Sequence, residues 1–249
     1  MSNQPPIEVP QGAIRLNTDS QKLEFFAQDR WYEMATEDSS GNGVRAFRTG
    51  GPGTIIETFN IATEGNGIDT GFDLSVAGGF GGGDSAHAGS RTRAVIAGGS
   101  DGGSNNTIQF FTMASLSNSI DFGDLTTLAQ GVSAMSNSVR ACFAMGNIGY
   151  HAGNTQRNII DFVQIATTGN AVDFGDSTTQ QTAQTGGTAS NSKRGLFFGG
   201  YSSPANPSNS TPHIHYINFH TKGNSINFGE LSVASGGCGG HCDTHGGLQ

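Results

Sequence analysis

The chain has 249 residues, 39 of them glycine, with 13% charged residues and a formal net charge of −8. So acidic a chain is poorly suited to wrapping nucleic acid, which needs Lys and Arg to neutralise phosphates. So glycine-rich and charge-poor a composition does not suit a helical bundle.

No apolar run is long enough to cross a bilayer as a helix, and the first residues do not follow a leader pattern, so the expectation is a protein without membrane insertion, assembled in a cytoplasm. Three cysteines, Cys142, Cys238 and Cys242, cannot complete a disulfide framework and are expected as free thiols. Apolar runs such as residues 159–163 and 195–198 supply material for a packed core and argue against disorder.

In chain order, the first predicted elements are three strands around residues 13–17, 22–27 and 31–35, separated by Asn-Thr-Asp-Ser and Gln-Asp-Arg turns. The segment PQGAIRLNTDSQKLEFFAQDRWYEMA from Pro10, with its G-A-I-R-L-N-T-D opening and W-Y-E close, resembles a short β-meander of phage fibre and other virion proteins. The resemblance implies a virion-attachment domain over residues 1–40. Phe25, Phe26, Trp31 and Tyr32 are expected either to contact a symmetric copy or to cover the meander's own small core.

Residues 44–249 carry four repeats. IATEGNGIDTGFDL, MASLSNSIDFGDLT, IATTGNAVDFGDST and FHTKGNSINFGELS begin at residues 61, 113, 165 and 219, spaced by 52, 52 and 54 residues. RAFRTGG, RAVIAGG, RACFAMG and RGLFFGG precede them from Arg45, Arg93, Arg140 and Arg194, and the two patterns advance together. Each repeat predicts four short strands: an Arg-led run ending in glycines, a second apolar run, the D-F-G-D segment and a Ser/Ala/Gly-rich return.

On the second strand, Ile56, Ile108, Ile160 and Ile214 share one column and Phe59, Phe111, Val163 and Ile217 another, and both are expected in the layer between repeats. Glu57, Gln109, Asp161 and His215 form an intervening polar column, and Asn60, Thr112, Gln164 and Asn218 a second; both are expected to face solvent or a channel. The glycine pair after each Arg-led strand predicts positive φ or close backbone approach, with Met145 replacing the first glycine in the third repeat. D-F-G-D predicts a turn or bulge, with Asp121, Asp124, Asp173 and Asp176 bonding nearby amides. The final stretch from Leu231 resembles LSVAGGFGGGDSAHAGS from Leu74, so the chain stops where a fifth Arg-led strand would begin.

RGLFFGG combined with IATTGNAVDFGD resembles kelch-like repeats of phage structural proteins. The resemblance implies an all-β chain whose residues 44–249 form a β-propeller of four repeat units, or five blades if the meander contributes one. The pattern departs from ordinary kelch repeats because the single tryptophan, Trp31, lies outside the repeats.

His213 and His215 alternate on one strand face and are candidate metal ligands, but the other repeats supply no matching donors. Cys238, His241, Cys242 and His245 form a dense cluster whose spacing differs from paired zinc-ligand patterns. With no nucleophile elbow, zinc-protease motif or phosphate loop, the expectation is a non-enzyme with no catalytic residues, no bound metal and no cofactor, its binding residues unassigned. Together the resemblances imply a bacteriophage virion structural protein: a tail fibre, head fibre or capsid decoration. Such a protein would be homo-oligomeric and contact other virion proteins, and its variable loops would contact a host surface glycan. A lectin-like propeller outside any virus and an enzyme built on a propeller are the alternatives.

Overall fold

The computed structural model describes residues 9–17, 22–28, 30–33, 45–50, 53–61, 63–77, 85–100, 103–148, 155–178, 187–202, 209–236 and 238–242. Every regular element among them is a β-strand, arranged in antiparallel sheets of three or four and one two-stranded hairpin. Two compact units divide the chain, Met1–Gly43 and Val44–Gln249.

The first unit is a meander of β1 (Ile14–Asn17), β2 (Lys22–Ala27) and β3 (Arg30–Glu33) in sequence order. Phe25 lies opposite Tyr32 and Phe26 opposite Trp31. The first pair stacks at 5.5 Å between centroids, and the second meets edge-on at 5.2 Å. Neighbouring residues of a strand point to opposite faces, so each face carries one aromatic pair. Arg15 lies 4.1 Å over Trp31 and pairs with the buried Glu24. Phe26, Trp31 and Tyr32 are half-buried by these contacts, while Phe25 stays at the margin of exposure.

In the second unit, sheet 1 consists of β4 (Arg45–Arg48), β5 (Ile55–Asn60) and β6 (Ile68–Asp73), and sheet 2 of β7 (Ser85–Gly89), β8 (Arg93–Gly98), β9 (Asn105–Thr112) and β10 (Ile120–Ala129). Sheet 3 contains β11 (Ser133–Ser136) and β12 (Arg140–Ala144), then, after the hairpin β13 (Asn147–Ile148) and β14 (Thr155–Gln156), β15 (Ile159–Gln164) and β16 (Val172–Asp176). Sheet 4 is β17 (Gly187–Ser190), β18 (Arg194–Phe198), β19 (His213–Asn218) and β20 (Ile226–Glu230).

The grouping of strands differs from the sequence expectation. The Ser/Ala/Gly-rich strand does not close its own repeat but opens the next sheet, with β7 pairing β8, β11 pairing β12 and β17 pairing β18. A tight turn before Arg93, Arg140 and Arg194 is responsible. Asn137 Oδ1 accepts the amides of Val139 and Arg140, Asn191 Oδ1 those of Lys193 and Arg194, and Ser90 Oγ those of Thr92 and Arg93. A side chain satisfying two amides of the turn fixes the hairpin locally, before any distant strand pairs.

The apolar columns lie three residues apart and so on opposite faces of β5, β9, β15 and β19. Each junction sets the isoleucine of one sheet against the second column of the next. Ile56 packs with Phe111, Ile108 with Val163, and Ile160 with Ile217, all almost fully buried. In the D-F-G-D strands a register shift marks the expected bulge, and Asp69, Asp121 and Asn227 each accept the amide of the glycine two residues on.

The glycine pairs take positive φ as expected, 66° and 107° at Gly98 and Gly99. A Cβ at Gly98 would stand 2.6 Å from the Ala129 carbonyl oxygen. Met145 keeps the same backbone, φ 62°, so the conformation is required in the third repeat even though glycine is not.

Candidate functional site

Three of the four repeats use their recurring polar residues to lock one sheet onto another. Asn118, Asn170 and Asn224, one per repeat, each accept with Oδ1 an amide of the preceding sheet's last strand: Asp73 at 3.0 Å, Asp124 at 3.1 Å and Asp176 at 3.0 Å. The leading arginines reach forward. Arg45 donates to the Met113 carbonyl at 2.7 Å, Arg93 to that of Ile165 at 2.8 Å, and Arg140 to that of Phe219. Each also lies over an aromatic ring of its own sheet, Phe47, Phe110 or Phe162. Identity at one repeat column was the sequence signal for both roles, which motif reasoning alone did not assign.

The polar column at Gln109, Asp161 and His215 does not face solvent or a channel. All three side chains are buried at junctions, where each meets a hydroxyl two residues beyond the amide that the asparagine clasps on the preceding sheet. Gln109 Oε1 accepts from Ser75 at 3.0 Å, Asp161 Oδ1 from Thr126 at 2.7 Å, and His215 Nδ1 lies 3.1 Å from Thr178 Oγ1. Burial without a partner would be costly, so the hydroxyls explain how polar groups persist in an apolar layer. Asp161 additionally pairs with the buried Arg157 at 3.0 Å. Glu57, the first member of the column, remains partly exposed and pairs with Arg48.

The small-residue strands β7, β11 and β17 lie side by side and are stitched in one direction. Ser136 Oγ donates to the Gly89 carbonyl at 3.0 Å, and Ser190 Oγ to that of Ser136 at 2.8 Å. Cys242 Sγ continues the series to the Ser190 carbonyl at 3.1 Å. Between these segments is a cavity of about 380 Å³, lined by His87, by residues 134–136 and 188–190, and by residues 240–242. Hydroxyls, two imidazoles, a thioether and a thiol line its described wall, and no carboxylate does.

His87 faces this cavity with Nδ1 2.9 Å from Thr49 Oγ1 and Nε2 3.0 Å from Ser85 Oγ. The surrounding protein desolvates the ring and lowers its pKa below the ordinary 6.5, favouring the neutral form, which suits two hydroxyl neighbours that can each donate or accept. The chemistry on offer is hydrogen bonding to a small polar ligand.

Of the metal candidates, His215 is committed to its junction, stacked on Phe197 at 5.5 Å, and His213 lies outward near Glu230 at 3.7 Å. Cys238 and Cys242 turn their thiols to the Phe198 and Ser190 carbonyls, and His245 lies outside the described residues. No group of three or more His, Cys, Asp or Glu side chains converges on a metal-sized site among the described residues. The three cysteines are free thiols.

The sequence matches no family model and no curated protein. The loops expected to vary join the Arg-led and second strands, all at the same end of the sheets. Their bases are fixed by the Ser100↔Ser104 and Tyr201↔Ser210 bridges and by the β13–β14 hairpin. Residues 101–102, 149–154 and 203–208 of these loops lie outside the described residues.

Proposed function

We propose that this chain is a structural protein of a bacteriophage virion, a tail fibre, head fibre or capsid decoration, whose four sheets are repeat units of a kelch-like β-propeller. One observation carries most weight: repeat-encoded polar side chains are spent on sheet-to-sheet clasps, as a rigid scaffold requires, rather than gathered into a reactive centre. The two sequence resemblances supply the virion context. The meander attaches the scaffold to other virion proteins, and the loop end, whose tips differ between repeats, presents a surface for a host glycan. A non-viral lectin-like propeller is the second reading, favoured by the hydroxyl-lined cavity around His87.

The test is to label purified virions with an antibody against residues 44–249 and to measure binding of the chain to host cells. Label at tail tips with cell binding supports an adhesin, and label at heads without binding supports decoration. Unlabelled particles overturn the virion reading. A chain lacking residues 1–40 should no longer enter particles; undiminished incorporation would remove the attachment role of the meander.

A further inference from the structure

Every junction in the repeat region has a leading half on one sheet and a trailing half on the next, and both kinds also occur unmatched at the ends. Sheet 4 carries a leading half whose outer strands have nothing packed on them among the described residues. Arg194 lies 4.8 Å over Tyr216, as the other arginines lie over their rings, but its guanidinium reaches no carbonyl there. Phe228 is 54% exposed, whereas its equivalents Phe122 and Phe174 are 3% exposed. Gly229 keeps φ 152°, yet a Cβ on it would meet open space, whereas one on Gly123 or Gly175 would strike the backbone of a glycine in the next sheet at 2.5 and 2.4 Å.

Sheet 1 carries the missing trailing half. Ile61 is 66% exposed, although its equivalents Ile165 and Phe219 are buried beneath the arginine of a neighbouring sheet. Phe59 is 41% exposed in a column where Phe111, Val163 and Ile217 are at most 3% exposed. Asn66, in register with the three clasping asparagines, is exposed.

The inner edge repeats the mismatch. Residues 238–242 stand beside β17 as β17 stands beside β11, continuing the stitching through Cys242, but no Arg-led strand flanks them among the described residues. Conversely, the Arg-led β4 is an edge strand of sheet 1, paired only with β5 among the described residues.

We infer that these halves meet between two copies of this chain, with sheet 4 of one copy seated on sheet 1 of the next. In this contact Asn66 of one copy accepts the Glu230 amide of the other, Arg194 donates to the Ile61 carbonyl, and Ser232 meets Glu57. The occupant is argued by continuity: the same side chains, at the same repeat positions, already make this contact three times within the chain. The contact is heterologous, so it builds a ring where the rotation closes and a filament where it does not. It does not depend on the virion reading.

The test uses the full chain with Cys238→Ser and Cys242→Ser. Cys142 stays, because burial pushes its thiol up to about 12 despite the nearby Arg140, so it does not react at neutral pH. Asn66→Cys and Glu230→Cys are placed on separately tagged chains, mixed and mildly oxidised. A disulfide-linked dimer carrying both tags is expected in the mixture, and none from either variant alone. A double variant that forms its disulfide only within one chain shows that the chain closes on itself and overturns the inference, as does the absence of any disulfide in either experiment. Sedimentation of the unaltered chain gives an independent reading: association is expected, weakened at least about tenfold by Phe59→Asp, and a monomer at all concentrations refutes the contact.

Discussion

Asp161 shows how much can depend on one side chain: it accepts from Thr126 and from Arg157, and the carboxylate and the guanidinium are both buried in a sheet junction. Removing its carboxylate strands a buried guanidinium, so Asp161→Ala should cost about 3–5 kcal/mol in urea unfolding. Gln109→Ala loses only neutral partners and should cost about 1–3 kcal/mol. His215 fills the same column with a titratable ring whose pKa is lowered by burial, with His213 adding to the effect. Below the ordinary pKa of 6.5 the unfolded chain takes up a proton that the folded ring refuses, so this residue's contribution is intact above that pH and declines as pH falls through it. His215→Gln, which copies Gln109, should flatten the fall in melting temperature between pH 7.5 and pH 5; an unchanged pH profile would exclude His215 as its source. Met145 illustrates a balance. Left-handed backbone costs a non-glycine about 1–2 kcal/mol, but truncating a buried methionine costs about 2–5 kcal/mol, so Met145→Gly should destabilise despite relieving the φ.

At the scale of the element, the bulged strands β10 and β16 approach the next sheet so closely that glycine is required for space as well as for φ. Gly123→Ala and Gly175→Ala should therefore cost about 1–3 kcal/mol more than Gly229→Ala, which meets only the conformational penalty in a single chain. Equal losses at all three positions would show that backbone conformation alone sets the requirement. The strands themselves were legible from apolar alternation and the repeat spacing, as were the bulge and the positive φ after the Arg-led strand. The sheet boundary was not, because repetition gives the order of strands without a starting point, and only the Ser90, Asn137 and Asn191 turns decide it. Nor was the burial of the Gln109, Asp161 and His215 column legible. Alternation assigns a residue to a face but is silent on what lies opposite, and here a hydroxyl some 34 to 37 residues earlier in the chain does.

At the scale of the repeat region, sheets 2 and 3 are packed on both faces and, among the described residues, sheets 1 and 4 on one, so stability should grade from sheet to sheet as it does in repeat proteins with nearest-neighbour coupling. Hydrogen exchange at concentrations too low for association should be slowest in β9, β12 and β15 and fastest in β5, β6 and β20. Uniform protection would mean that the sheets open only together.

The one-way stitching through Ser136, Ser190 and Cys242 also has an evolutionary consequence. Because each repeat carries both halves of the same junction, duplicating one whole repeat adds a new sheet without requiring a single new complementary surface. Gene duplication in steps of about 52 residues is therefore tolerated, whereas a partial duplication would misalign every clasp downstream. Lengths of related chains should cluster at whole numbers of repeats.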